Sequence, residues 1–253
     1  INFGRGLPRA LHAKSVPVAS VGNLATYGLM PDIADQMTRD LAVDVFARMY
    51  GPDDTRDAVL QQISDTGMGA YLGADILRAA PEAYSSTIEY QTDIPIAQSL
   101  RDISQVMLAD LGTRVFYTQH GGYDHHAVEN PNHEKLLTEL TVAIRDFMND
   151  LREHEAAEEV VVYVFTEFGR RVQDNGSGTD HGSGGGSFII GERVKGGLYS
   201  EYPSLDPTTW ANGEDLAHTI DFRGVYATLL EQWMGMDAVP IVGGNFEQLP
   251  VFN

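Results

Sequence analysis

The spacing of apolar residues predicts helices in the first part of the chain. Residues 1–31 mix Gly and Pro with short apolar runs, which is typical of extended, loop-rich chain. Over residues 32–51, apolar side chains recur at steps of three and four, and this spacing predicts one face of a helix. Asp53 and Asp54 are candidate caps for a second helix that runs to about Ala80.

A third helix is predicted to begin at Pro95, because proline is well suited to the first turn of a helix. Gly112 is its predicted stop. Its predicted buried stripe consists of Ile96, Leu100, Ile103, Val106, Met107 and Leu111.

Strand patterns characterise the second part of the chain. Residues 113–119 are rich in β-branched and aromatic side chains, and a helical pattern follows them. Residues 160–165 form a continuous apolar run, which is typical of a strand buried on both faces of a parallel sheet. A short strand at 187–190 and a helix capped by Thr219 or Asp221 come next. These elements predict an α/β protein with a mostly parallel sheet flanked by helices.

Composition and charge exclude several classes of function. The 253 residues include 17 basic and 36 acidic side chains, a net charge of −19 that repels phosphate backbones and argues against a nucleic-acid partner. No stretch approaches ~18 consecutive apolar residues, so the sequence predicts no membrane span. The absence of cysteine excludes thiolate metal sites, disulfides and cysteine nucleophiles.

The first cluster of candidate functional residues follows the strand predicted at 113–119. Ligands in open α/β sheets bind beyond the carboxyl ends of the strands. Asp124 and His126 are two residues apart, so in extended chain their side chains point the same way and can share one metal ion. The alternative is a polar loop with a capping aspartate.

The second cluster follows the strand predicted at 160–165. Glu167 emerges there as a candidate metal ligand or general base, and Arg170 and Arg171 come shortly after it. The alternative is a surface ion pair between Glu167 and one of these arginines, which contributes little to stability.

The third cluster lies in the glycine-rich segment 176–187, which is predicted to be a loop. Asp180 and His181 are embedded among glycines, and a bound metal ion would order such a loop. The alternative is a phosphate cradle made of backbone N–H groups. The nucleotide version of that cradle lacks its Gly-x-x-x-x-Gly-Lys-Ser/Thr pattern.

The three clusters together offer nitrogen and carboxylate ligands without sulfur, a set that suits Zn²⁺, Mn²⁺ or Fe²⁺. One kind of site that such ligands form is a two-metal hydrolytic site. Its ions lie ~4 Å apart and bind the attacking and leaving oxygens of phosphoryl or sulfuryl transfer. The candidate ligands are Asp124, His126, Glu167, Asp180 and His181.

Three motifs resemble those of a bacterial family called domain of unknown function 1501, which is placed in the alkaline phosphatase and sulfatase superfamily. The family's Gly-Gly-Phe-Asp-Thr-His motif corresponds to residues 121–126, with His125 in place of the usual Thr. Its Ser-Glu-Phe-Gly-Arg motif corresponds to residues 166–170, and its Gly-Thr-Asp-His-Gly motif to residues 178–182. The order and spacing of these motifs make the resemblance specific.

The resemblance implies an alkaline phosphatase-like fold, of which residues 1–253 are the carboxyl-terminal portion. Residues 1–111 would then be a loop and helical region, and residues 112–253 the α/β core. The first strands of the sheet and the nucleophilic Ser or Thr are expected before Ile1. Family members often carry a twin-arginine signal, so the resemblance also implies export to the periplasm or the cell surface.

The resemblance further implies that Asp124, His126 and His181 hold one divalent ion, with zinc expected and manganese or iron as alternatives. Glu167 stands where the superfamily has the aspartate of a second metal site, and Arg170 becomes a candidate anion contact. The expected function is metal-dependent hydrolysis of a phosphate or sulfate ester, with a small anionic molecule as substrate. The alternative is a non-catalytic exported protein that binds metal or serves in assembly through a degenerate site.

Overall fold

The predicted mixture of helices and strands is confirmed in the computed structural model of the chain. Two compact units are present: residues 1–121 with 138–154, and residues 122–137 with 155–253. No helix of the described residues is long and apolar enough to cross a membrane. The structure describes residues 1–4, 6–12, 18–24, 27–28, 33–51 and 57–253.

The first unit contains a parallel sheet of three very short strands. Strand β1 (Asn2–Phe3) lies in the middle, between β2 (Ser20–Val21) and β3 (Tyr117–Thr118). The buried Asn2 side chain joins β1 to β2, since its Nδ2 donates to Ser20 Oγ at 2.7 Å. Strand β3 confirms only residues 117–118 of the strand predicted at 113–119.

Three helices of this unit lie where the sequence predicts them. Helix α1 (Gln36–Tyr50) lies within the predicted segment 32–51 and ends next to Gly51. Helix α2 (Ala58–Ala79) is capped by Asp57, whereas the predicted caps Asp53 and Asp54 lie outside the described residues. Helix α3 (Pro95–Leu108) begins at its proline and ends four residues before Gly112. Its predicted stripe is buried at Ile96, Leu100, Ile103 and Val106.

The apolar face predicted for α1 is on the surface. Met37, Leu41, Val45 and Met49 are all exposed, between 48% and 78%. Helix α1 instead contacts α2 through its last turn, where the Tyr50 ring lies against a glycine of α2 that has no side chain to exclude it.

Helix α4 (Glu129–Glu153) contributes residues 129–137 to the second unit and residues 138–153 to the first. Its second half belongs to the first unit and buries one face there. The buried apolar residues of this face are Ala143, Ile144, Phe147, Met148 and Leu151.

The second unit contains two antiparallel strand pairs. Strand β4 (Val162–Val164) pairs with β7 (Phe188–Ile190), and β5 (Gly169–Asp174) pairs with β6 (Thr179–Gly182). The prediction that 160–165 forms a parallel strand buried on both faces is therefore wrong. Its partner runs in the opposite direction and its strand residues are only half-buried.

Helices complete the second unit. Asp221 caps α5 (Phe222–Thr228), as predicted, by accepting a hydrogen bond from Arg223 N. A π-helical turn follows at Leu229–Trp233, and α6 (Val239–Val242) comes near the end of the chain.

The sheets of the described residues are small, and only the one in the first unit is parallel. The mixed α/β class is confirmed at this level. The larger, mostly parallel alkaline phosphatase-like sheet stays a prediction.

Candidate metal site

The β5–β6 hairpin provides one half of the candidate site. Its register places Arg170 opposite His181 and Gly169 opposite Gly182. The register shifts between Arg170 and Asp174, and Asp174 then pairs with Thr179. The segment predicted as an unstructured glycine-rich loop is thus partly strand, and His181 lies on that strand. The backbone of His181 is paired with that of Arg170, which corrects the loop prediction.

The segment 124–129 provides the other half and lies directly on the turn of this hairpin. Gly178 is buried there, and a Cβ at this position would lie 2.8 Å from His125 O. The backbone N–H of Val128 donates to Ser177 Oγ at 3.2 Å. Only a glycine allows the two segments to approach so closely. This contact brings the first and third sequence clusters together.

Asp124, His126 and His181 converge as the resemblance implies. Asp124 Oδ1 lies 2.6 Å from His181 Nε2 and 3.1 Å from His126 Nε2. One ligand atom from each residue lies within 4.8 Å of the others, and all three side chains are exposed. Two imidazole nitrogens and one carboxylate oxygen form a set that holds zinc in proteins and leaves a position open.

The carboxyl groups of Asp124 and Asp180 are ionised at neutral pH. The hydrogen bond from His181, together with the charges of His181, His126 and Arg170, lowers the pKa of Asp124. Hydrogen bonds from Asn175 and His126 lower the pKa of Asp180. A carboxylate rather than a carboxylic acid is the form that binds a metal ion.

Asp180 lies behind His126 rather than beside Asp124. Its Oδ1 is 3.2 Å from Nδ1 of His126, the ring nitrogen that does not approach Asp124. Asn175 Nδ2 donates to the same Asp180 oxygen at 3.2 Å. The group of three candidate ligands does not include Asp180.

Arg170 joins the two halves of the site. Its Nη1 donates to Thr179 O, and its Nη2 donates to Tyr123 O, both at 2.6 Å. Nη2 also lies 3.4 Å from Asp124 Oδ1. The guanidinium is thus bonded to the backbone on both sides of the site, and it adds positive charge next to the carboxylate. Its predicted role as an anion contact stays a prediction.

Glu167 does not belong to the group of three ligands. Its side chain is exposed, although the residue precedes β5 by only two positions. The described residues contain one group of at least three candidate ligands, so they offer no second set for another ion. The role of Glu167 as ligand or base stays a prediction.

His125, which stands in place of the usual Thr, faces away from this group of ligands. Its ring lies 6.4 Å from that of His133, centroid to centroid, and its Nδ1 is buried without a hydrogen-bond partner among the described residues. His125 is not part of the candidate ligand set.

Two residues of the site were missed by sequence reasoning. Phe168 stacks on the His181 imidazole, and Asn175 connects Asp180 to the backbone of His126. The motif at 166–170 includes Phe168, but the sequence does not predict which side chain a single aromatic residue contacts. Asn175 belongs to an Asn-Gly-Ser sequon, and its side chain is already engaged in these contacts.

The fold and the site define an α/β protein with an Asp-His-His group that can hold a metal ion. Residues 25–240 match the family described as "Protein of unknown function (DUF1501)", and the chain belongs to this family. No curated protein matches the chain, and no solved structure matches it.

Proposed function

We propose that this chain is a metal-dependent hydrolase of the alkaline phosphatase and sulfatase superfamily that acts on a phosphate or sulfate ester. The observation that carries the proposal is the convergence of Asp124, His126 and His181 from two separate segments. The exported location, which the family resemblance implies, belongs to the same proposal.

Zinc fits this donor set best. Imidazole nitrogens together with a carboxylate suit zinc, with manganese and iron as the alternatives. Three protein ligands that face solvent are typical of catalytic zinc sites, because structural sites enclose the ion with four. The exposure of Asp124, His126 and His181 therefore favours a site that accepts a substrate.

The reaction is net hydrolysis of the ester. A water oxygen joins the phosphorus or sulfur, the bond to the ester oxygen breaks, and a proton goes to the departing alcohol. A divalent ion supplies Lewis-acid polarisation of the phosphoryl or sulfuryl oxygens. Asp124, His126 and His181 hold that ion, while Arg170 fixes the loop of Asp124 against strand β6.

The test measures metal content and turnover on the same preparations. The full chain is loaded with zinc, and hydrolysis of aryl phosphates and aryl sulfates is followed. Asp124→Ala and His181→Ala should lose the zinc and the hydrolysis together while remaining folded. Glu158→Ala, which removes an exposed acid of the same unit, serves as the control. Zinc retention by both site variants would contradict the proposed ligands.

The second candidate function is a non-catalytic exported protein that binds one ion or serves in assembly. It is favoured by one observation: Glu167 lies outside the only group of candidate ligands in the described part of the chain. Full zinc occupancy in the wild-type chain, with no turnover of either class of ester, would favour this second function over the first.

A further inference from the structure

His126 has a carboxylate at each of its two ring nitrogens. Nε2 lies 3.1 Å from Asp124 Oδ1, and Nδ1 lies 3.2 Å from Asp180 Oδ1. The two nitrogens of an imidazole point in different directions. An acid that accepts a hydrogen bond from Nδ1 is therefore badly placed to share an ion with Nε2.

Asn175 ties Asp180 and His126 into one unit. Its Nδ2 donates to Asp180 Oδ1 and to His126 O, each at 3.2 Å. Its own Oδ1 accepts from the backbone N–H groups of Ser177 and Gly178, at 3.2 and 3.0 Å. The turn of the β5–β6 hairpin thereby fixes Asn175, and Asn175 in turn restrains the Asp180 carboxylate and the backbone of His126.

We propose that Asp180 and Asn175 are positioning residues that hold His126 with its proton on Nδ1, so that Nε2 is free to bind the ion. The inference rests on the metal site of the proposed function. It assigns Asp180 a role different from the ligand role that its place in the sequence motif indicates. Carboxylates that accept the second N–H of a metal-binding histidine fix its tautomer and orientation in this way.

The first experiment needs neither metal nor activity. Nitrogen NMR of the metal-free full chain, at a pH where the imidazole is neutral, reports which nitrogen of His126 carries the proton. We expect Nδ1 in the wild-type chain and in Asp124→Ala. We expect a shift toward Nε2 in Asp180→Ala, because only the Asp124 carboxylate then remains as acceptor. An unchanged tautomer in Asp180→Ala would overturn the inference.

The second experiment measures zinc affinity by competition with a chelator. Asp180→Ala should weaken zinc binding about 10- to 100-fold, the range for loss of a partner that orients a ligand. Asp180→Asn retains an acceptor oxygen and should weaken binding less. Asn175→Ala should also weaken binding, and Glu158→Ala should have no effect. A loss in Asp180→Asn as complete as that in Asp124→Ala would identify Asp180 as a ligand and overturn the inference.

The two experiments separate this inference from the proposed function. If the wild-type chain binds no zinc and the tautomer still responds to Asp180→Ala, the proposed function fails and the positioning role stands. If zinc binds and neither the tautomer nor the affinity responds to that substitution, the metal site stands and the positioning role fails.

Discussion

The imidazole of His181 stacks on the ring of Phe168, with the ring centroids 3.9 Å apart and the planes 9° from parallel. Arg170 adds a cation to this arrangement, since its guanidinium carbon lies 5.0 Å from the Phe168 centroid. Phe168 is half-buried, whereas His181 is exposed. The aromatic surface and the 2.6 Å contact of Nε2 with Asp124 Oδ1 therefore both limit the rotation of the His181 ring.

We expect Phe168→Ala to lower zinc affinity about 10-fold, because the His181 ring then loses a stacking contact that restricts its rotation before the ion binds. Phe168→Tyr keeps the stacking surface and should bind zinc as the wild-type chain does. Isothermal titration with zinc measures both variants. Tyr202→Ala removes an exposed aromatic ring of the same unit and is the matched control. Wild-type affinity in Phe168→Ala would show that stacking plays no part.

The close approach at Gly178 gives a second prediction. A methyl group at this position would lie 2.8 Å from His125 O and from the carbonyl carbon of His126. Both neighbours are backbone atoms and cannot rotate away, so Gly178→Ala must displace the segment that carries His126. We expect a loss of about 1–3 kcal/mol of unfolding free energy, together with weaker zinc binding.

The control for that prediction is Gly186→Ala. Among the described residues, nothing beyond the adjacent chain lies within 4 Å of the place that a Cβ of residue 186 would take. Gly186 also has no positive φ, so alanine meets no obstacle there. Its unfolding free energy should stay within about 0.5 kcal/mol of wild type in urea denaturation. Equal effects of the two substitutions would contradict a specific contact at Gly178.

Local patterns predicted the parts of the structure that depend on neighbours along the chain. Helix α3 follows from its proline and its apolar stripe, and the cap at Asp221 follows from its place before α5. Asp124 and His126 were found because residues two apart share a side of extended chain. These features require only the geometry of a single segment.

The features that sequence reasoning missed depend on partners distant along the chain. An apolar run such as 160–165 looks the same whether its partner is parallel or antiparallel, so the direction of β7 was not predictable. The pairing of Asn175 with His126 likewise requires the β5–β6 turn to lie on the segment 124–129. Neither residue shows this in its own sequence neighbourhood.

Asp150 gives a third prediction, on the stability of the first unit. The Asp150 side chain is fully buried, and its Oδ2 accepts hydrogen bonds from the hydroxyls of Tyr84 at 2.7 Å and Tyr90 at 2.8 Å. Burial and the bond to Asp150 raise the pKa of Tyr84 to about 12, so its hydroxyl stays a donor. The carboxylate thus satisfies two phenols at once.

We expect Asp150→Ala to lower the free energy of unfolding by about 3 kcal/mol or more, because it removes the buried carboxylate to which both tyrosine hydroxyls donate. Asp150→Asn retains an acceptor oxygen and should lose less. Urea denaturation followed by circular dichroism measures both. Asp93→Ala, at an exposed acid of the same unit, is the control, and an equal loss there would contradict the role of Asp150.

His154 gives the last prediction, which concerns pH. Its Nδ1 lies 2.8 Å from Asp150 O and its Nε2 lies 2.9 Å from Ser85 O. Both acceptors are carbonyls, so only the protonated ring donates to both. The bond to Asp150 O, then the bond to Ser85 O and the nearby carboxylates, raise the pKa of His154 in the folded chain.

A raised pKa stabilises the fold below the unfolded value of about 6.5, and this stability is lost as the pH rises through the folded value. The stability difference between wild type and His154→Gln should therefore be larger at about pH 5.5 than at about pH 8.5 in urea denaturation. A difference that grows with pH would reverse the assignment.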